Sequence, residues 1–164
     1  MIRLTSKTFK SVSELNNYLQ QKINVILMDT VSDVVRDELE SSAIEMLNEY
    51  NPILYKRRSS TNSLGSGGIA DKETMNTELV SDGVIAITPN AERNKDFNNF
   101  PGWGYDENKS LAENLVFGYG NRQYPWNQPR DFVDDARNSL KSGKAHIEAM
   151  RDGLKEIFGN ENVF

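Results

Sequence analysis

The residues that could do chemistry in this chain are few, and their spacing suits catalysis poorly. The 164 residues contain one histidine, His146, and no cysteine. A serine hydrolase would therefore have to use His146 as its general base. This residue lies one position before Ile147 in a helical pattern, where a partly exposed surface histidine is the simpler interpretation. Thiolate zinc sites and sites with several histidines are excluded within one chain, because the ligands are missing.

Three further stretches suggest phosphate binding or acid–base catalysis, and each lacks a defining feature. The GSGG of residues 65–68 is not followed by the Lys-Ser or Lys-Thr of a P-loop, and GYGNRQ at 118–123 lacks the third glycine of a dinucleotide fingerprint. Asp134 and Asp135 are adjacent, and neighbours on a helix point about 100° apart, so they suit the first turn of a helix better than a shared catalytic site. We therefore predict a protein that is not an enzyme and that uses no cofactor and no metal.

A basic cluster, Lys-Arg-Arg at residues 56–58, follows Tyr55 in an otherwise acidic chain of formal net charge −5. The overall charge opposes non-specific binding to DNA. The cluster has three interpretations: phosphate contact with Tyr55 stacked on a base, a solvated run of charge, or pairing with the acidic helix of a neighbouring copy. Residues 29–49 supply such a helix, because they contain seven acids and one cation, Arg36.

The elements that position these groups are both helical and extended, so we predict an α+β fold in a single domain over residues 1–164. After an N-terminal arm over 1–10, Ser11 and Glu14 have the spacing of a helix-capping box. Apolar residues then recur every three or four positions, which predicts a long amphipathic helix over 11–50 that ends before Pro52. The pattern fits either a continuous helix or one broken near residues 28–30.

The middle of the chain alternates polar segments with short regular elements. Residues 59–76 are rich in serine, glycine and asparagine, which predicts a mobile loop. Residues 77–89 predict a β-hairpin that turns at Asp82-Gly83. A polar insert with embedded aromatic residues follows at 94–109.

Two helical segments complete the prediction. SLAE at 110–113 is a second capping box and opens a short helix that Gly118 closes. Residues 129–158 form a C-terminal helical segment, either one kinked helix or two helices that meet at Gly143.

The order of these elements, together with three motifs, resembles a known family. The motifs are YNPILYKRR at 50–58, LAENLVFGYG at 111–120 and PRDFVDDA at 129–136. In architecture and at these motifs the chain is similar to the small tail-completion proteins of tailed bacteriophages, which are also called neck or tail-to-head joining proteins. The P-R-P-F typical of that family is matched here except that Asp131 replaces the second proline.

The resemblance implies a structural virion protein. Its copies would form a six-fold ring that joins the tail to the head connector, with other neck, connector, tail-terminator and tube proteins as partners. DNA would pass through the ring without sequence-specific binding. The protein would be made in the cytoplasm of the bacterial host and end at the head–tail junction. It would not enter a membrane, since no apolar run approaches the ~20 residues that a spanning helix needs.

Two alternatives remain open from the sequence. One is another head–tail adaptor, either a head-closure or a tail-terminator protein. The other is a cytosolic regulator that binds nucleic acid through residues 55–58. Association of the purified protein with itself or with tails would favour a ring-forming head–tail protein. Retardation of DNA by the protein at low salt would favour the regulator.

The predicted contact residues are aromatic and basic side chains, which dominate protein interfaces. Tyr119, Tyr124 and Trp126 would supply rigid contact area in a loop that prolines stiffen, or would fold back on the core of their own chain. The full set of predicted interface residues is Tyr55, Arg57, Arg58, Tyr119, Tyr124, Trp126, Arg130 and Phe132.

Overall fold

The computed structural model describes residues 8–48, 68–91, 111–118 and 129–159. These residues combine a long N-terminal helix, a two-stranded antiparallel sheet and C-terminal helices. The predicted α+β class is therefore confirmed.

The long helix begins at the predicted capping box. The Ser11 hydroxyl accepts a hydrogen bond from the Glu14 amide at 3.1 Å, and the Glu14 carboxylate accepts one from the Lys10 amide at 2.8 Å. An ideal box would use the amide of Ser11 itself, so the return bond here is displaced by one residue. Both bonds give partners to amides that a helix start otherwise leaves unpaired.

The long helix continues through residues 28–30, where the sequence pattern also fits a break. Helix α1 (Val12–Ile26) passes through a π-helical turn (Leu27–Val31) into helix α2 (Ser32–Asn48). Ile26 and Ser32, which flank the π-turn, both keep right-handed helical geometry. The buried Ser32 hydroxyl donates to the carbonyls of Met28 at 2.6 Å and Asp29 at 3.1 Å. The π-turn therefore adjusts the register of one helix and does not interrupt it.

The π-turn has a packing consequence. Ile26 and Val31 are buried in the same cluster although they are five positions apart. Hydrogen bonds in a π-turn join residues five positions apart, whereas an ordinary α-helix brings residues three and four positions apart onto one face. The extra residue thus keeps both side chains directed toward the core.

The sheet consists of strands β1 (Met75–Ser81) and β2 (Val84–Pro89). Their hairpin turns at Asp82-Gly83 as predicted, and Gly83 has a φ of 77° that suits glycine. Asn24 of α1 holds the turn, because its side chain donates to Asp82 Oδ1 at 3.0 Å and accepts from the Gly83 amide at 2.9 Å. The hairpin is thereby fixed to the long helix.

The predicted loop over 59–76 is wrong in its second part. Residues 68–76 contain an ordered turn, a 3₁₀ turn (Lys72–Thr74) and the start of β1. Asp71 Oδ2 accepts from the Gly68 amide at 2.8 Å, while Ile69 and Met75 are buried in the core. Composition did not reveal this segment, because short polar side chains close its turn and few apolar residues, chiefly Ile69 and Met75, anchor it. Residues 59–67 and the polar insert at 94–109 lie outside the described residues.

The C-terminal half follows the prediction with one correction. Helix α3 (Leu111–Phe117) ends at Gly118, and the last segment consists of two helices, α4 (Phe132–Gly143) and α5 (Ala145–Phe158). The left-handed residue at their junction is Lys144, with a φ of 59°, and not Gly143. Asp131 is the N-cap of α4, because its carboxylate accepts from the Asp134 amide at 2.9 Å.

The apolar side chains form two clusters, and the smaller one lies at the π-turn. The larger cluster joins α2, α4, α3 and the hairpin around Phe132, which is fully buried. The smaller joins Ile26 and Val31 to α5. Helix α5 approaches closely at Gly153, where a Cβ atom would lie 2.5 Å from Ile26 Cγ2. The long helix is thus the element against which both the hairpin and the C-terminal helices pack.

Candidate assembly surfaces

A charged cleft lies where the 3₁₀ turn meets the outer side of α2. Lys72 Nζ lies 2.5 Å from Asp37 Oδ1 and 3.7 Å from Asp33 Oδ1, and Arg36 pairs with Asp33 on the same helix. The cleft has a volume of about 450 Å³. Its lining consists of Asp33, Arg36, Glu40, Asp71, Lys72 and Glu73.

The ion pairs move two pKa values of the cleft further from neutral pH. The hydrogen bond from Arg36 lowers the pKa of Asp33 from its ordinary 3.8, with a further contribution from the charge of Lys72. The hydrogen bond to Asp37 raises the pKa of Lys72 above 10.5. A carboxylate that is already ionised and paired is a weak general acid. The cleft is therefore better suited to binding a basic side chain than to proton transfer.

Acidic residues of α2 form a stripe on one side of the helix. Asp33, Asp37, Glu40 and Ile44 are spaced by four, three and four positions, which places them on one helical face. The side chains of Asp33 and Asp37 are 51% and 61% exposed, and Ile44 is 45% exposed. We call these four residues the acidic face.

The junction of α4 and α5 carries the opposite charge. Residues 137–147 contain Arg137, Lys141 and Lys144 and no carboxylate. All three cations are exposed, as is Ile147. Arg137 makes a long ion pair with Asp134 at 3.8 Å, while Lys141 and Lys144 have no ion-pair partner among the described residues. We call Arg137, Lys141, Lys144 and Ile147 the basic elbow.

The hairpin end also exposes apolar side chains. Val80 and Val84, beside the turn, are 60% and 51% exposed, and Val25, next to the Asn24 that holds the turn, is 56% exposed. Apolar residues clustered on a surface are typical of contact regions. Nothing among the described residues indicates what covers them.

Most of the predicted interface residues lie outside the described residues. This applies to Tyr55, Arg57, Arg58, Tyr119, Tyr124 and Trp126, which stay predictions.

The two predicted interface residues that the structure describes differ in their surroundings. Arg130 is half-buried, and its backbone amide donates to the Leu115 carbonyl at 2.8 Å. Phe132 is 0% exposed and packs in the core of its own chain. It offers no surface to a neighbour, so its assignment to the interface is corrected. Its position at the start of an amphipathic helix, next to a capping aspartate, does not by itself distinguish a core residue from an interface residue.

The acidic stretch of α2 was evident in the sequence, but its partner Lys72 was not. Lys72 lies 35 positions from Asp37 in the chain, inside a segment predicted to be a loop. Within the described ranges, His, Cys, Asp and Glu form no group of three that could hold a metal ion. The helices in the same ranges include none long and apolar enough to cross a membrane.

Comparisons with known proteins give one match. The family model YomN matches residues 11–156. No curated protein and no solved structure matches the chain.

Proposed function

The chain belongs to the YomN family, and on this premise we propose that it is a structural virion protein of a tailed bacteriophage. It acts as a neck or tail-completion subunit, and its copies form a six-fold ring that joins the tail to the head connector around the DNA channel. The observation that carries the proposal is that YomN is a phage-associated domain whose match covers the long helix, the hairpin and nearly all of α5.

The described surface is compatible with assembly from many copies. It carries an acidic face, a basic elbow and exposed apolar residues at the hairpin end. Charged and apolar groups of this kind select a partner and fix its orientation. The acidic balance of the chain also suits a subunit near moving DNA, because like charge repels phosphate and does not retain it.

Residues outside the described ranges complete the proposal. Arg57 and Arg58 bind carboxylates of another neck protein, or carboxylates of α2 outside the acidic face in a neighbouring copy, since an arginine can form paired hydrogen bonds with a carboxylate. Tyr119, Tyr124 and Trp126 supply apolar contact area at the same kind of joint.

The proposal is tested by reversing the charge of Arg57 and Arg58 together in the phage gene. The double variant Arg57→Glu, Arg58→Glu should give full heads and complete tails that fail to join, counted by electron microscopy. Melting of the isolated protein should not change, because surface substitutions typically alter stability by no more than ~0.5 kcal/mol. The matched control is Lys10→Glu, Lys22→Glu, which makes the same charge change near the start of the long helix and should leave joining normal.

Two results would contradict the proposal at different levels. Normal particles from the double variant would remove Arg57 and Arg58 from the interface. Normal particles from a phage that lacks the gene would remove the neck function itself. Retardation of DNA by the purified protein at low salt, combined with normal particles, would favour the nucleic-acid-binding regulator.

The number of copies is tested separately. Native mass spectrometry of the assembled protein should show a species of six chains. A closed assembly with another number of copies would retain the neck function and reject the six-fold ring.

A further inference from the structure

We propose that copies of this chain associate head to tail, with the acidic face of one copy bound to the basic elbow of the next. The inference rests on the proposed function in taking the partner to be a second copy. It adds the two surfaces that meet and the forces that hold them together.

The acidic face carries negative charge that the described residues of its own chain neutralise only in part. Arg36 and Lys72 engage Asp33 and Asp37. Glu40 lies in the same cleft, and Glu73 adds another carboxylate beside it. Within the described residues, Glu40 and Glu73 have no ion-pair partner. The face therefore retains capacity to bind cations.

The basic elbow is the matching surface on the same chain. Arg137 is 68% exposed at its side chain, and the stretch from Arg137 to Ile147 contains three cations without a carboxylate. Lys144 is the C-cap of α4 and the N-cap of α5, and it is exposed. An exposed cation is accessible to a carboxylate of another molecule.

The two surfaces are complementary in charge. Asp33, Asp37 and Glu40 lie on one face of α2, whereas Arg137 and Lys141 lie on one face of α4 and Lys144 follows at the left-handed junction. Each set is followed by an exposed isoleucine, Ile44 at 45% and Ile147 at 47%. Charge pairs beside an apolar contact combine specificity of register with burial of apolar area.

The acidic face and the basic elbow do not pair within one chain. Helix α2 packs against α4 through a cluster that includes Leu39, Ala43 and Phe132. Glu40 lies about 100° around the helix from Leu39, and Arg137 lies about 100° from the buried Ala136. No ion pair joins the two surfaces among the described residues. Each surface is thus left for another molecule.

Pairing of two different surfaces makes the contact repeat. A contact between unlike patches leaves one patch of each kind free at the ends of the chain of subunits. The next copy binds in the same way, and the series closes as a ring when the rotation between copies allows it. The proposed arrangement therefore supplies the joint that a ring requires.

The test uses two full-length variants of opposite charge. The first, Arg137→Glu with Lys141→Glu, makes the elbow acidic. The second, Asp37→Lys with Glu40→Lys, makes the acidic face basic. The association constant of each purified protein is measured by analytical ultracentrifugation at low ionic strength and compared with the original sequence.

Each variant alone should associate at least about tenfold more weakly than the original, because attraction at every joint becomes repulsion. Mixing the two variants in equal amounts should restore association. The acidified elbow of the first fits the basic face of the second, and the two unchanged surfaces fit each other. Salt at about 0.5 M should weaken the association of both the original protein and the mixture.

A charge reversal elsewhere on the chain serves as the control. The variant Lys10→Glu, Lys22→Glu should associate like the original, and circular dichroism should show both test pairs folded. The proposal is overturned if the original stays monomeric up to millimolar concentration at low salt, or if the folded single variants associate normally. It is also overturned if the mixture does not recover.

The outcome is separable from that of the neck function. Restored association in the mixture with normal particles from a gene deletion would keep the head-to-tail contact and reject the phage role. If the mixture fails to associate and a phage that lacks the gene gives unjoined heads and tails, the neck function is kept and the head-to-tail contact is rejected.

Discussion

At the scale of single residues, close packing at Gly153 limits what the C-terminal helix can carry. A Cβ atom there would lie 2.5 Å from Ile26 Cγ2, which is too close for any real contact. Gly153→Ala should therefore lower the free energy of unfolding by about 1–3 kcal/mol, the usual cost of overpacking a core. Urea unfolding measures the change.

Gly143→Ala is the matched control for this substitution. Nothing lies within 4 Å of a Cβ atom at Gly143, so the same exchange should leave stability unchanged or raise it slightly. Equal effects at the two glycines would contradict the close approach of α5 to Ile26.

The ion pairs of the cleft give a second prediction at this scale. Arg36 holds the pKa of Asp33 below its ordinary 3.8. Because the folded pKa is lowered, the stabilisation from this pair is present above the ordinary pKa and is lost as the pH falls through the folded value. Arg36→Met should raise the pKa of Asp33, and Lys72→Met should raise it less. NMR titration of the side-chain carboxyl measures both shifts, and an unchanged pKa in Arg36→Met would reject the pairing.

At the scale of elements, the π-turn accommodates one extra residue between α1 and α2. Removing Asp29, an exposed residue of the turn, should convert it to ordinary helix and leave the two halves in nearly the same relative rotation, because the turn accommodates one extra residue. Ile26 and Val31 would then be four positions apart, which is the spacing of one face of an α-helix, so both would still face the cluster. The deletion should therefore cost less than about 3 kcal/mol, which is the cost of losing a large core contact.

Asp29→Ala keeps the length of the turn and removes the same side chain. It should change the free energy of unfolding by no more than ~0.5 kcal/mol, because Asp29 is exposed. Denaturant unfolding of the two variants separates the effect of length from that of the side chain. A deletion that costs more than about 3 kcal/mol while the substitution is mild would contradict the view that the turn accommodates one extra residue.

Elements with local signals were predicted from the sequence, and those that depend on distant contacts were not. The helix cap at Ser11 and the turn at Asp82-Gly83 are determined by their own residue types, and both appear in the structure. The left-handed Lys144 has no such signal, since a lysine in that conformation is tolerated only because the two helices it joins are held by packing. Residues 68–76 became ordered for a similar reason, through the burial of Ile69 and Met75.

At the scale of the whole molecule, the candidate surfaces were predicted only in part. The density of acids after Asp29 is visible in the sequence, and so is the mild basic run from Arg137. The sequence does not show that these two charged surfaces stay unpaired beside the packed helices α2 and α4, because this depends on which faces of the two helices are buried. The assignment of Phe132 failed on the same ground, since an aromatic residue after a capping position serves a core and an interface equally well in sequence terms.

The proposed function makes the chain a structural part of the virion at the head–tail junction. The most direct measurement is immunogold electron microscopy of purified particles with an antibody raised against this chain, together with mass spectrometry of the same particles. The chain should be present in multiple copies, and the label should lie where the head meets the tail. Particles that contain no trace of the chain, or that carry the label elsewhere, would contradict it.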